Sequence, residues 1–168
     1  MISENGYIYV SSVLSFRECE RYTAAMLALK DAGSLVNEAD GRYYKNSVGI
    51  ARYPDFEELL NTSTRDMTHL VGQDLKPANS YCRIYMNGST LNKHVDRPPL
   101  DVTLSVTLHT VDHPWLLYAK DLSNTEVAFD IKRGDGALMF GRKMEHWREP
   151  LVCKDDEYVC QLFLHWSI

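Results

Sequence analysis

The sequence predicts an α+β protein: two amphipathic helices near the front, then a run of short strands that fold into a sandwich or jelly-roll barrel. Three features carry this. Ser15-x-x-Glu18 is a capping box ahead of a striped apolar segment, Pro54-Asp55 opens a second striped segment, and seven closely spaced β-rich runs follow Asn79.

Gly6–Val13 is rich in β-formers and reads as a strand. A helix then runs from about Phe16 to Ala32, with Phe16, Cys19, Thr23, Met26 and Leu29 as its apolar stripe and Gly33 stopping it just past the end. Arg42–Tyr53 reads as a strand. The helix that starts at Pro54 places Phe56, Leu59, Leu60, Met67, Leu70 and Val71 on one face. The β-rich runs are Ser80–Met86, Asp101–His109, Pro114–Lys120, Thr125–Ile131, Ala137–Phe140, Glu145–Val152 and Tyr158–Trp166, with Gly, Pro, Asn or Asp in most of the gaps. Asp155-Asp156 reads as the two-residue turn of a hairpin joining the last two runs. The expected organisation is one domain over 1–168, with 1–78 as strand-and-helix support and 79–168 as the β-rich core.

At 168 residues the chain can bury one sizeable core, and its 45% hydrophobic and 24% charged content is that of a globular protein. The formal net charge of -5 argues against nucleic acid as a partner, because such binding rests on Lys and Arg neutralising phosphates. No run approaches the roughly 18 apolar residues that span a bilayer, and the first residues carry no basic-then-apolar secretory pattern. Cys19, Cys82, Cys153 and Cys160 are scattered without a CxxC pair, and the expected hairpin sets Cys153 opposite Tyr158 instead of Cys160. Reduced thiols and a cytoplasmic location are the expectation.

The chemistry concentrates at His94-Val95-Asp96. Residues two apart on an extended backbone point to the same side, so this imidazole and carboxylate can grip one ion. His146 sits on a later run. Two histidines and one carboxylate make the facial triad of non-haem iron(II) oxygenases, which leaves coordination positions open. HxD alone is a weak signal in a chain with six histidines, and lone strand histidines are commonly structural.

Order adds specificity. Tyr85-x-x-Gly88, His94-x-Asp96, Gly134-Asp135 and His146-x-x-x-Pro150 together resemble the prolyl 4-hydroxylase-like branch of the 2-oxoglutarate/Fe(II) dioxygenases. The segments Cys82–Tyr85, His94–Pro98 and His146–Glu149 are most similar to its small bacterial and phage members. The resemblance covers Ser80 to Trp166. It implies a double-stranded β-helix (a cupin-like jelly roll) with helices packed outside, Fe(II) on His94, Asp96 and His146, and 2-oxoglutarate as cosubstrate. The activity it implies is oxidation of an amino acid, peptide or small molecule with release of succinate and CO2. Tyr85 matches the family tyrosine that touches 2-oxoglutarate.

One departure stands out. The family carries a basic residue about ten positions after the distal histidine to clamp the far carboxylate of 2-oxoglutarate, and this chain has Glu157 there. Arg148, two residues past His146 on the same strand face, is the first replacement, and its bland alternative is a rim salt bridge. Arg83, which shares a face with Tyr85, is the second, and Lys154 the third. The hairpin sets His165 opposite His146, as a neighbour of the metal ligands and not a ligand. Thr103, Ser105 and Thr107 alternate along one strand face, either lining the barrel or facing solvent. Two other functions remain open: a cupin-like metal oxygenase or isomerase without 2-oxoglutarate, favoured by the missing base, and a non-catalytic jelly-roll binding module.

Overall fold

The computed structural model describes residues 2, 4–36 and 44–168. Strand β1 (Tyr7–Val10) leads to helix α1 (Phe16–Asp31), strand β2 (Tyr44–Ala51) and helix α2 (Pro54–Val71). Seven more strands follow: β3 (Lys76–His94), β4 (Val102–His109), β5 (Leu117–Lys120), β6 (Glu126–Phe129), β7 (Gly136–Met139), β8 (His146–Arg148) and β9 (Val159–Ser167). All ladders between these strands are antiparallel, in the order β1-β7-β4-β9-β3-β8-β5-β6, with β2 also on β3. The 19-residue β3 joins two halves: its first part pairs with β9 and its end with β8. This is the strand exchange of a double-stranded β-helix, as the sequence resemblance implied.

Both helices start where the sequence placed them. Ser15 Oγ accepts the Glu18 amide and Glu18 reaches back to the Ser15 amide, so the capping box is complete. Gly33, at φ +69°, supplies the left-handed residue that ends α1. The apolar stripe differs at one residue: Phe16 is exposed, and its ring stacks under the Arg133 guanidinium. Tyr22 is the buried residue that the stripe omitted. Of the expected strand at 42–53, Arg42 and Tyr43 lie outside the described residues.

The alternation along β4 and β9 explains how the barrel has a dry outside and a polar inside. Val102, Leu104, Val106 and Leu108, with Cys160, Leu162, Leu164 and Trp166, pack outward in one core with Tyr22, Met26, Phe56, Leu60 and Met67 of the helices. Each such buried aliphatic side chain contributes about 1.5–3 kcal/mol. Thr103, Ser105 and Thr107 point the other way and are nonetheless buried, so they line the barrel interior. They face Gln161, Phe163 and His165 of β9 across the ladder, and Gln161 Nε2 donates to Thr107 Oγ1 at 2.9 Å.

Two expectations fail here. The β-rich run marked at Ser80–Met86 is too short: β3 runs unbroken from Lys76 to His94, which ends a strand as expected. Gly88, at φ +78°, absorbs the irregularity, and Ser89 Oγ accepts the Met86 amide. The second failure is the hairpin. A turn does sit at Asp155-Asp156, closed by the Glu157 amide on Lys154 O at 3.1 Å, but its flanks never pair. Strand β8 lies between β3 and β5, and β9 between β3 and β4. Residues 149–158 therefore carry the chain from one half of the barrel to the other. His165 consequently lies opposite Asn79 and Thr103, not His146, and Cys153 has no ladder partner at Tyr158.

Candidate metal and cosubstrate centre

His94 is the last residue of β3 and stands in register with His146, the first residue of β8. Their rings are 4.3 Å apart between centroids. Asp96 follows two residues later, where its amide donates to Gly141 O at 2.9 Å and ties the 94–96 segment to the end of β7. The Nε2 atoms of both histidines lie 3.7 Å from Asp96 Oδ1. The three ligand atoms fall within 4.8 Å of one another. The residues singled out by sequence thus meet at one point, on the wall of a cavity of about 420 Å³.

Local hydrogen bonds aim each donor. His94 Nδ1 contacts Asn92 O at 2.8 Å and His146 Nδ1 contacts Met144 O at 2.9 Å. A carbonyl can only accept, so the proton sits on Nδ1 and the Nε2 lone pairs converge beside Asp96. Thr103 Oγ1 donates to Asp96 Oδ2 at 2.5 Å, which occupies that oxygen and leaves Oδ1 facing the histidines. Gly141 makes room: a Cβ there would overlap Asp96 Oδ2 and lie 2.6 Å from Thr103 Oγ1.

Electrostatics prepares the set for a cation. Burial, reinforced by the neighbouring His146, pushes His94 down to about 4, so its imidazole is neutral and available at pH 7. Burial pushes Asp96 up, but His146, His165 and the Thr103 hydroxyl outweigh it and hold the carboxyl below its usual range. Two imidazoles and one carboxylate are the donor set suited to iron(II).

Arg148 lies two residues beyond His146 on the same face of β8, next to Leu91 of β3 in register. It is 3% exposed, its guanidinium stacks on Trp115 at 4.6 Å, and Nη1 donates to Trp115 O. Nε and Nη2 are buried with no hydrogen-bond partner among the described residues. Burial lowers its pKa to about 10, and no carboxylate is among the groups acting on it. The rim salt bridge weighed from sequence is absent among the described residues. Buried guanidinium donors left open carry a penalty that an anion would remove.

Tyr85 packs edge-on to the same Trp115 at 4.9 Å, fully buried, and burial raises its pKa. Arg83, the second candidate, is also inside the barrel, but it donates to Ser47 Oγ and the Tyr81 hydroxyl. Lys154 is exposed in the turn beside Glu157. His165 is buried on the cavity wall, its Nδ1 3.2 Å from Asn79 O, near enough to Asp96 for each to influence the other's charge. It is not one of the three converging ligands. It reaches this wall from β9, opposite Asn79 and Thr103, and not through the expected hairpin.

Sequence reasoning missed Gly141 and Trp115, and left Thr103 with two possible faces. The alternation of Thr103, Ser105 and Thr107 was visible; that helices cover the other face was what decided it.

No family model and no curated protein matches the chain. Solved structures do. A Pseudomonas putida prolyl-4-hydroxylase superposes with a TM-score of 0.79 at 12% identity, over 98% of this chain and 93% of that one. SnoK, a non-haem α-ketoglutarate-dependent carbocyclase from nogalamycin biosynthesis, gives 0.78 at 15% identity, over 98% and 80%. HygX from Streptomyces hygroscopicus, with nickel, 2-oxoglutarate and hygromycin B bound, gives 0.76 at 12% identity, over 97% and 83%. The chain has the fold of the 2-oxoglutarate/Fe(II) oxygenases.

Proposed function

We propose that the protein is a non-haem iron(II), 2-oxoglutarate-dependent dioxygenase. The observation that carries this reading is the convergence of two tautomer-fixed histidines and one half-tethered carboxylate inside a barrel of this fold. His94, Asp96 and His146 would hold the iron. When bound, iron and 2-oxoglutarate supply the oxidising power, by decarboxylating the cosubstrate to succinate and CO2 in the presence of O2.

The chain's own residues bind and orient. Arg148, packed behind the cavity wall, would offer its unpartnered Nε and Nη2 as a fork to the C5 carboxylate, and Tyr85 packs beside it on the shared Trp115. Iron(II), one carboxylate, one guanidinium and a dianionic 2-oxoglutarate leave the interior neutral, which suits a buried site. The apolar outer packing of β4 and β9 keeps the site's walls rigid, and Leu91, Leu117 and Met139 give it a dry lining.

The substrate would be a small molecule or a peptide. Structural neighbours take both kinds: one holds hygromycin B, and a Trichoplax adhaerens prolyl hydroxylase holds a hypoxia-inducible factor peptide. No helix among the described residues is long and apolar enough to cross a membrane.

The test is titration of the anaerobic Fe(II) protein with 2-oxoglutarate. Removing a charge-assisted fork costs on the order of 2–3 kcal/mol, so Arg148→Ala should weaken 2-oxoglutarate by about 30-fold or more. Arg148→Lys should recover part of that. An unchanged constant in Arg148→Ala with a large rise in Arg83→Ala would move the clamp to Arg83. No 2-oxoglutarate binding by the wild type would favour the cupin-like reading.

A further inference from the structure

His165 turns one ring nitrogen to the backbone and leaves the other to the cavity. Its Nδ1 lies 3.2 Å from Asn79 O, and a carbonyl can only accept, so Nδ1 carries the proton and Nε2 keeps its lone pair. Burial holds the ring below its ordinary range, which keeps it neutral. Nε2 has no hydrogen-bond partner among the described residues and is the open edge of a side chain that lines the cavity. It stands close to the metal ligands: Thr103, which holds Asp96, is the register partner of His165. Neighbouring hydroxyls are turned elsewhere, Thr103 Oγ1 to Asp96 and Ser105 Oγ to Gln161 Oε1 at 3.5 Å. A bare imidazole nitrogen on such a wall is matched by a hydrogen-bond donor from outside the protein.

The charges around the cavity limit what can carry that donor. Among the described residues lining it, Asp96 is the only acid, and it is committed to the ion and to Thr103. Apart from the histidines, Arg97 is the only base; it is exposed at the mouth, and its guanidinium has no hydrogen bond or ion pair among the described residues. Its charge still acts on buried His165, so the two share one end of the cavity. An amine would enter as a cation with no carboxylate left to meet it. A hydroxyl enters neutral, and an anionic group on the same molecule meets Arg97. Tyr81 and Phe163, in register on neighbouring strands, give the wall an aromatic section for the body between them.

Resting on the dioxygenase reading, we propose that the substrate is a small hydroxy acid whose hydroxyl donates to His165 Nε2 and whose carboxylate meets Arg97 at the mouth. The hydroxyl contact brings the carbon that bears it to the metal side of the cavity, and the rest of the molecule lies along Tyr81 and Phe163. Such a site discriminates by what it leaves unpaired. An ether in place of the alcohol sets one acceptor against another, and an amine meets Arg97 as a like charge.

The experiment uses the whole protein with saturating Ni(II) and 2-oxoglutarate, and three probes followed by calorimetry: 3-hydroxy-3-phenylpropanoate, its methyl ether 3-methoxy-3-phenylpropanoate, and the neutral 3-hydroxy-3-phenylpropanamide. The hydroxy acid should bind about tenfold more tightly than the ether. It should bind about threefold more tightly than the amide, the smaller gap of a charge contact at an exposed mouth. His165→Asn keeps a donor for Asn79 O and removes the atom at the Nε2 position, so it should bring alcohol and ether level. His165→Gln, whose amide reaches the Nε2 position, should restore part of the gap. Arg97→Gln should bring hydroxy acid and amide level and leave the gap between alcohol and ether in place. Alcohol and ether equal in wild type, no binding of any probe, a gap unchanged in His165→Asn, or an Arg97→Gln variant that weakens all three alike would overturn the proposal. A large rise in the 2-oxoglutarate constant for His165→Asn would place His165 on the cosubstrate and overturn it too. Failure of wild type to bind 2-oxoglutarate at all would instead remove the dioxygenase reading beneath it.

Discussion

Gly141→Ala adds one carbon at a position whose backbone any residue can adopt, since its φ lies outside the left-handed region. That carbon would overlap Asp96 Oδ2 and sit 2.6 Å from Thr103 Oγ1, inside the 3.4–4 Å of ordinary contact. The carboxylate has to retreat by about 1 Å or more, because the surrounding barrel wall is close-packed. Retreat breaks the Thr103 bond and carries Oδ1 away from the two Nε2 atoms. Disturbing a group that orients a metal ligand typically costs 10–100-fold in affinity, or about 1.4–2.7 kcal/mol. The expected result is therefore a Fe(II) or Ni(II) constant raised by about that factor, measured by calorimetry. Thr103→Val should lie at the lower end, because it removes only the hydrogen bond, and Thr103→Ser should restore it. Metal affinity in Gly141→Ala equal to that of wild type would refute this account of how Asp96 is held.

The neighbouring residues give further tests. His165→Ala should weaken metal binding by about 10–100-fold without abolishing it, as befits a buried neighbour of Asp96 that is not a ligand; complete loss of metal would make His165 a ligand. In the metal-free protein His94 is held near 4 against an ordinary 6.5, so the unfolded chain takes up its proton first as pH falls. Its contribution is present above about pH 6.5 and is lost on acidification toward pH 4, on the order of 3 kcal/mol. Thermal unfolding across that window should show a steeper loss of stability in wild type than in His94→Gln, whose remaining slope comes from His165 and His109, both also lowered by burial, and parallel curves would contradict it.

Much of the centre was legible in the sequence because it is local. His94 and Asp96 are two residues apart on extended chain, and Arg148 stands in the same relation to His146, so period-2 geometry alone put each pair on a common face. The helices were legible for a similar reason: Ser15 and Glu18 cap α1 through contacts three residues apart. What failed was long-range. Nothing between Glu149 and Tyr158 distinguishes a hairpin connection from a crossover between barrel halves, since the turn at Asp155-Asp156 serves both equally. Gly141 was unreadable for the same reason: its smallness matters only because Asp96, 45 residues earlier, folds against it.

The triad and Arg148 together would hold iron(II) with 2-oxoglutarate. The direct measurement is an anaerobic difference absorbance spectrum on adding 2-oxoglutarate to the Fe(II)-loaded protein. The expected result is a weak visible charge-transfer band that saturates with one equivalent, requires higher 2-oxoglutarate in Arg148→Ala, and is absent in His146→Ala. A wild-type protein that binds Fe(II) yet gives no band at saturating 2-oxoglutarate would contradict it.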